Sequence, residues 1–152
     1  MNKRGITPLM ATLLLISFAV AVGVVIMSFG RAQVEEEAQC TINIGLKFSV
    51  VGGSEQFCYD AGKQQLFFIV ENGVNIDVEG LVVNIIGSQS AKTYTLDDAK
   101  IDKAGTYLKY LDYDKAVVGE VRQIKIVPKV NMYDEVLVCQ EKAIVLEKIK
   151  DC

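Results

Sequence analysis

The residues of this 152-residue chain with chemistry to offer are four cysteines, two acidic clusters and a group of tyrosines. Cys40, Cys58, Cys139 and Cys152 contain no closely spaced pair of the kind a zinc site uses. Their even number therefore implies two disulfides formed in an oxidising compartment. Asp97-Asp98 with Asp102, and Asp112-Tyr113-Asp114, lack the glycine that gives a calcium loop its sharp turn, and read as acids that solvate turns. Tyr107, Tyr110 and Tyr113 read as core tyrosines with a polar tip at the surface, the alternative being an exposed adhesive patch. Histidine is absent from the sequence, which removes the commonest general base and metal ligand. No nucleophile elbow, glycine-rich phosphate loop or H-E-x-x-H occurs. These residues predict no enzyme, no cofactor and no metal. The net charge of −3 leaves no basic footprint for nucleic acid.

What positions these residues is a long uncharged run, residues 6–30, preceded by Lys3-Arg4 and followed by Arg31 and then Glu35-Glu36-Glu37. About 20 apolar residues in a helix cross a bilayer, so the span is expected at about residues 8–30. The positive charges of Lys3 and Arg4 put the N-terminus in the cytoplasm and residues 40–152 outside. A cleaved secretory signal has a shorter apolar core and a small-residue cleavage site, whereas this run ends in Ser28-Phe29-Gly30-Arg31. Residues 31–39 hold good helix formers with no Pro or Gly, so the helix is expected to continue to Gln39 as a stalk. At 1.5 Å per residue, residues 8–39 would reach about 48 Å, more than the bilayer requires. The Glu35-Glu36-Glu37 run reads as a solvated face. Small residues, among them Ala11, Ala19 and Gly23, would let such helices approach closely in a medium as apolar as their own side chains.

Lys3-Arg4-Gly5 followed by Ile6-Thr7-Pro8-Leu9-Met10 resembles the class III signal of archaeal type IV pilin-like proteins. In that family a prepilin peptidase cuts after a short basic leader that ends in a small residue, and a Ser/Thr-Pro pair opens the hydrophobic helix. The resemblance implies a leader at residues 1–5, cleavage between Gly5 and Ile6, and a helix that begins with Thr7 as cap and Pro8 at its first position. Both residue types suit those places, since a hydroxyl can accept from a free backbone N–H and proline has no donor to waste. Bacterial pilins carry glutamate at the fifth mature position, where this chain has Met10, so the likeness is to the archaeal pattern.

Beyond Cys40 the hydrophobic period changes to two. Ile42, Ile44, Leu46, Phe48 and Val50 predict a first strand, and Gly52-Gly53-Ser54 a turn. Residues 66–70 predict a strand buried on both sides, and Asn72-Gly73 another turn. Leu81, Val83 and Ile85 predict the next strand, residues 91–96 a shorter one, and residues 97–114 no regular period. Val121, Ile124, Ile126 and Val130 predict a strand whose Pro128 marks a sheet edge or bulge. Val136 with Val138, and then residues 143–149, complete the set. Six to eight short strands with glycine-containing turns predict a β-sandwich. The passage from Val70-Glu71-Asn72-Gly73 to Gly80-Leu81-Val82-Val83 looks like the strand-turn-strand of immunoglobulin-like archaeal surface domains.

Cysteine pairing follows from the same layout. A reversal near residues 140–142 would leave Cys139 and Cys152 at opposite ends of the domain, beyond the reach of one bridge. That favours Cys40–Cys152 near the membrane and Cys58–Cys139 at the far end.

The expected architecture is α+β, with a leader at 1–5, a hydrophobic helix and stalk at 6–39, and one immunoglobulin-like β-sandwich at 40–152. The resemblance implies a major or minor pilin of a surface filament used in attachment, with its own copies, prepilin peptidase and the membrane as partners. It would sit in the cell membrane before assembly and on the cell surface after it. A monomeric anchored binding or adhesion domain, and a secreted enzyme, are the alternatives from other classes.

Overall fold

The computed structural model describes residues 6–38, 40 and 42–152. They fall into two compact units, Met1–Ala38 and Gln39–Cys152. The leader residues Lys3, Arg4 and Gly5 lie outside the described residues, as does Gln39, the expected end of the stalk.

Helix α1 (Ile6–Ala38) is one uninterrupted element of 33 residues. Ile6 and Thr7 are already helical, so Thr7 does not stand ahead of the helix as a cap and Pro8 is not its first residue. Pro8 still falls in the first described turn, where a missing donor costs least. Two hydroxyls inside the helix are satisfied by its own backbone: Thr12 Oγ1 donates to Leu9 O at 2.9 Å and Ser17 Oγ to Leu13 O at 2.8 Å. A helix among lipid tails needs that self-sufficiency.

The second unit is a strand-rich head of antiparallel sheets. At the centre of the first sheet is β5 (Gln65–Glu71), where Leu66, Phe68 and Val70 are buried and the alternate residues half-buried. The whole of one side of β5 pairs with β8 (Thr106–Asp112). The other side is shared by β1 (Lys47–Phe48) and β4 (Phe57–Asp60), and Ile69 is the joint between them. Ser49 N–H donates to Ile69 O at 2.9 Å, Ile69 N–H to Gln56 O at 2.9 Å, and Gln56 N–H to Ser49 O at 2.8 Å. Residues 50–55 therefore loop out of what is otherwise one strand, as a small hairpin of β2 (Val50–Val51) and β3 (Ser54–Glu55). Gly52 and Gly53 turn it with φ of 61° and 78°, the left-handed pair a two-residue hairpin requires. Lys150–Asp151, β12, adds a short parallel pairing outside β4.

In the second sheet β6 (Gly80–Gly87) lies between β7 (Ala91–Leu96) and β9 (Val121–Met132). The far side of β9 carries β10 (Glu135–Val138) and then β11 (Ile144–Leu146). Residues of both sheets, among them Phe57, Leu66, Phe68, Leu81, Val83, Ile85, Ile124 and Ile126, share one buried cluster.

Several expectations need correction. The strand foreseen from Ile42 shrinks to β1, because Gly45 at φ 72° breaks the extended run and Val50 leaves for the hairpin. Only Ile44, Leu46 and Phe48 of its five apolar positions are buried. Residues 97–114, expected to be irregular, contain β8, and β4 was not foreseen either. Pro128 is not on an edge strand, since β9 pairs on both sides. Its carbonyl accepts from Cys139 N–H at 3.0 Å, so its donorless nitrogen faces the place where β10 has ended and β11 not yet begun.

The head thus has an entry end, holding Cys40, Glu71, residues 97–105 and Lys129, and a far end, holding the turn of residues 61–64, Gly87 and Asp112. At the far end Tyr113 is buried and its hydroxyl donates to Gly119 O at 2.8 Å. Burial pushes its pKa up to about 12, with the neighbouring Tyr94, Glu120 and Tyr59 acting in the same direction. A raised folded pKa means stability that is complete below the unfolded value, about 10, and is lost as pH rises from there toward about 12. Urea midpoints of wild type should fall across that window more steeply than those of Tyr113→Phe. Equal slopes would refute the assignment.

Candidate assembly surfaces

Between Pro8 and Phe29, helix α1 is apolar on every side. These 22 residues have a mean hydropathy of 2.7, and every one of their side chains is exposed. Leu14, Leu15, Phe18, Met27 and Phe29 are all more than two-thirds exposed. A helix without a polar face is stable only inside a bilayer or among other apolar helices. Ala19 and Gly23, one turn apart, share a face of the small-xxx-small kind. Ala11, expected with them, is rotated by about 80° from Ala19 at 100° per residue and so lies off that line. A Cβ added at Gly23 would meet nothing within 4 Å beyond the adjoining turns of its own helix.

The disulfides are Cys40–Cys139 and Cys58–Cys152, with Cα–Cα separations of 5.5 and 5.0 Å. The expected partners were Cys152 for Cys40 and Cys139 for Cys58, and both assignments are wrong. Cys139 and Cys152 do lie apart, as reasoned, but the chain does not reverse at Gln140–Lys142. Both β10 and β11 run antiparallel to β9, so the short 3₁₀ turn between them only jogs a strand that keeps its direction. The reversal comes earlier, at Tyr133-Asp134, and leaves Cys139 beside Pro128 with Cys40 and Cys152 beside β4 with Cys58.

The acidic clusters serve the fold. Asp97 meets Lys129 Nζ at 2.7 Å, and Asp98 meets Lys109 Nζ at 3.1 Å. The Asp98 carboxylate raises the Lys109 pKa. Asp112 Oδ1 accepts from Gln65 Nε2 at 2.9 Å, and Asp114 Oδ1 from Ala116 N–H at 2.8 Å, capping the four-residue α2 (Lys115–Val118). Glu71 is held below the usual carboxylate range by the Ser49 hydroxyl and then by Lys47. Among the described residues no three histidine, cysteine or carboxylate groups converge as metal ligands would.

The tyrosines divide. Tyr113 is core, Tyr107 packs partly against the core, and Tyr110 is half-exposed beside Phe67, with ring centroids 4.9 Å apart. With Ile69 and Leu108, Tyr110 and Phe67 form an apolar outer face on β5 and β8. Sequence reasoning missed Tyr133, which stands 89% exposed on the β9–β10 turn. A two-residue gap between the runs ending at Met132 and starting at Glu135 was the available signal. Comparison with family models, with characterised proteins and with solved structures finds no match.

Proposed function

We propose that this chain is a structural subunit, major or minor, of an archaeal type IV pilus-like surface filament used in attachment, with an immunoglobulin-like β-sandwich as its head. The observation that carries the reading is the stretch Pro8–Phe29 of helix α1, apolar on all sides and with its side chains exposed. Lipid covers it before assembly and neighbouring copies cover it afterwards. The two disulfides fit an extracellular head, and the helix is long and apolar enough to anchor it until assembly. The Lys3-Arg4-Gly5 leader ahead of Ile6-Thr7-Pro8 supports removal by a prepilin peptidase.

Maturation tests this directly. The native membrane form should have the intact mass of a chain beginning at Ile6 with four oxidised cysteines. A monomer that keeps Met1 would instead be an anchored binding domain, for which the outer face of Phe67, Ile69, Leu108 and Tyr110 is the natural contact. Loss of the whole apolar run would make the chain a secreted protein.

A further inference from the structure

Asn72 is the one asparagine of this sequence that is followed by a glycine, and its side chain is buried. Its Nδ2 donates to Ile76 O at 2.8 Å, to Asp102 O at 3.1 Å and to Ile101 O at 3.2 Å, tying the loop after β5 to the loop before β8. Reversing the amide would set its oxygen against three carbonyl oxygens, so this orientation is the one the chemistry allows. Oδ1 is then buried with no protein donor in reach. A buried acceptor left in that state is rare in a native fold and asks for a reason. Gly73 is held as firmly: its N–H donates to Ile44 O at 3.1 Å, its carbonyl accepts from Ala104 N–H at 2.7 Å, and a Cβ there would run into the Ile44 carbonyl.

Asparagine is a thermolabile residue, and a following glycine, with no Cβ to hinder it, lets the next backbone nitrogen reach the side-chain carbon. The Gly73 nitrogen gives up its proton to hydroxide and attacks Asn72 Cγ, and the C=O electron pair moves onto Oδ1. Return of that pair expels Nδ2, which takes a proton from water and leaves as ammonia. Water then opens the cyclic imide at either carbonyl, so the net change is water in and ammonia out, with aspartate or isoaspartate at position 72. We propose that Asn72 is a deamidation site that the fold holds closed, converted only in chains whose head has opened, and that a converted chain does not refold. Each requirement of the reaction is denied in the folded head. Gly73 N–H is committed to Ile44 O, and burial of Asn72 keeps hydroxide and water away. Charge developing on Oδ1 would find no protein donor to receive it, the opposite of an oxyanion hole. The product is shut out as firmly, since a carboxylate at position 72 would lie buried against three carbonyl oxygens that need a donor.

The test holds the full chain in detergent micelles, disulfides intact, in mildly alkaline buffer with and without enough guanidinium chloride to unfold the head, and follows the mass of the peptide containing residue 72. Reaction through an open state tracks the population of that state, so conversion should run at least about a hundredfold slower in the folded head. When the guanidinium is diluted out, the refolded, protease-resistant fraction should hold asparagine at position 72, and the protease-sensitive fraction aspartate or isoaspartate. Asn72→Asp, which supplies the product directly, should stay in the protease-sensitive fraction. Equal rates with and without guanidinium, or no conversion in either, would overturn the proposal. So would aspartate at position 72 in the refolded fraction in the same proportion as in the whole sample, which would mean that the head accommodates the product.

Discussion

Cells carrying Gly23→Leu should insert the protein, remove its leader and fold its head, yet build no filaments. Moving α1 from lipid to a bundle of its own copies exchanges one apolar medium for another, so little is gained by transfer and close packing decides the outcome. At Gly23 the backbone is bare, and a Cβ there would meet no side chain within 4 Å in its own chain beyond the adjoining residues. The effect is therefore expected between chains. Forcing a larger side chain into a packed contact costs about 1–3 kcal/mol per site. Because the contact repeats at every subunit, assembly rather than subunit stability should collapse. Val24→Leu, which adds bulk one residue away and off the Ala19–Gly23 face, should leave filaments intact. Electron microscopy beside the mass of the processed subunit reads both halves. Normal filaments with Gly23→Leu would mean that this face points away from its neighbours.

Removing the Cys40–Cys139 bridge should be the most destabilising double substitution in the head. The bridge joins residues 99 apart in sequence, and both sulfurs are buried where the chain enters the core. Constraining so long a loop in the unfolded chain is worth about 4–5 kcal/mol, model-dependent, though native bridges often deliver less. Cys40→Ala with Cys139→Ala should therefore lower the thermal midpoint by roughly 15–30 °C. The Cys58–Cys152 bridge closes a loop of similar length, but Cys152 is exposed, so its removal leaves less unfilled space in the core. Its loss should cost less. Peptide mapping without reductant fixes the premise: a fragment joining Cys40 to Cys152 would contradict the fold's connectivity, and a midpoint unchanged by the double substitution would contradict its energetics.

Which parts of this fold could be read from residues follows from which parts have one buried face. The strand at residues 66–70 was plain as a dense apolar run, although it is buried on one side only, with Phe67 and Ile69 half-buried on the other; the strand at Leu81, Val83 and Ile85 was plain because its inner positions are strictly apolar. Gly52-Gly53 announced its turn because only such residues sit easily at positive φ. By contrast β8 hid itself, since Tyr107 and Leu111 face inward while Leu108 and Tyr110 face outward, leaving no period of two in hydrophobicity. The strand shared by β1 and β4 was illegible for a different reason: its two pieces are continuous only through their common partner Ile69, a long-range pairing with no local signal. The disulfide exchange has the same origin. Once the reversal was placed at Gln140–Lys142 instead of Tyr133-Asp134, the ends of the head were swapped for Cys139 and Cys152. Of the proposed assembly surface, the apolar run of the helix was legible, whereas its start ahead of Thr7-Pro8 and the place of Ala11 off the Ala19–Gly23 line were not.

The most direct test of the filament account is electron cryo-microscopy of material sheared from the surface of cells that make this protein, with mass spectrometry of the same sample. The account predicts filaments whose core is a bundle of α1 helices starting at Ile6, sheathed by heads bridged at Cys40–Cys139 and Cys58–Cys152. It is contradicted if the sheared fraction lacks this chain while the membrane fraction holds it as a monomer with residues 1–5 still attached.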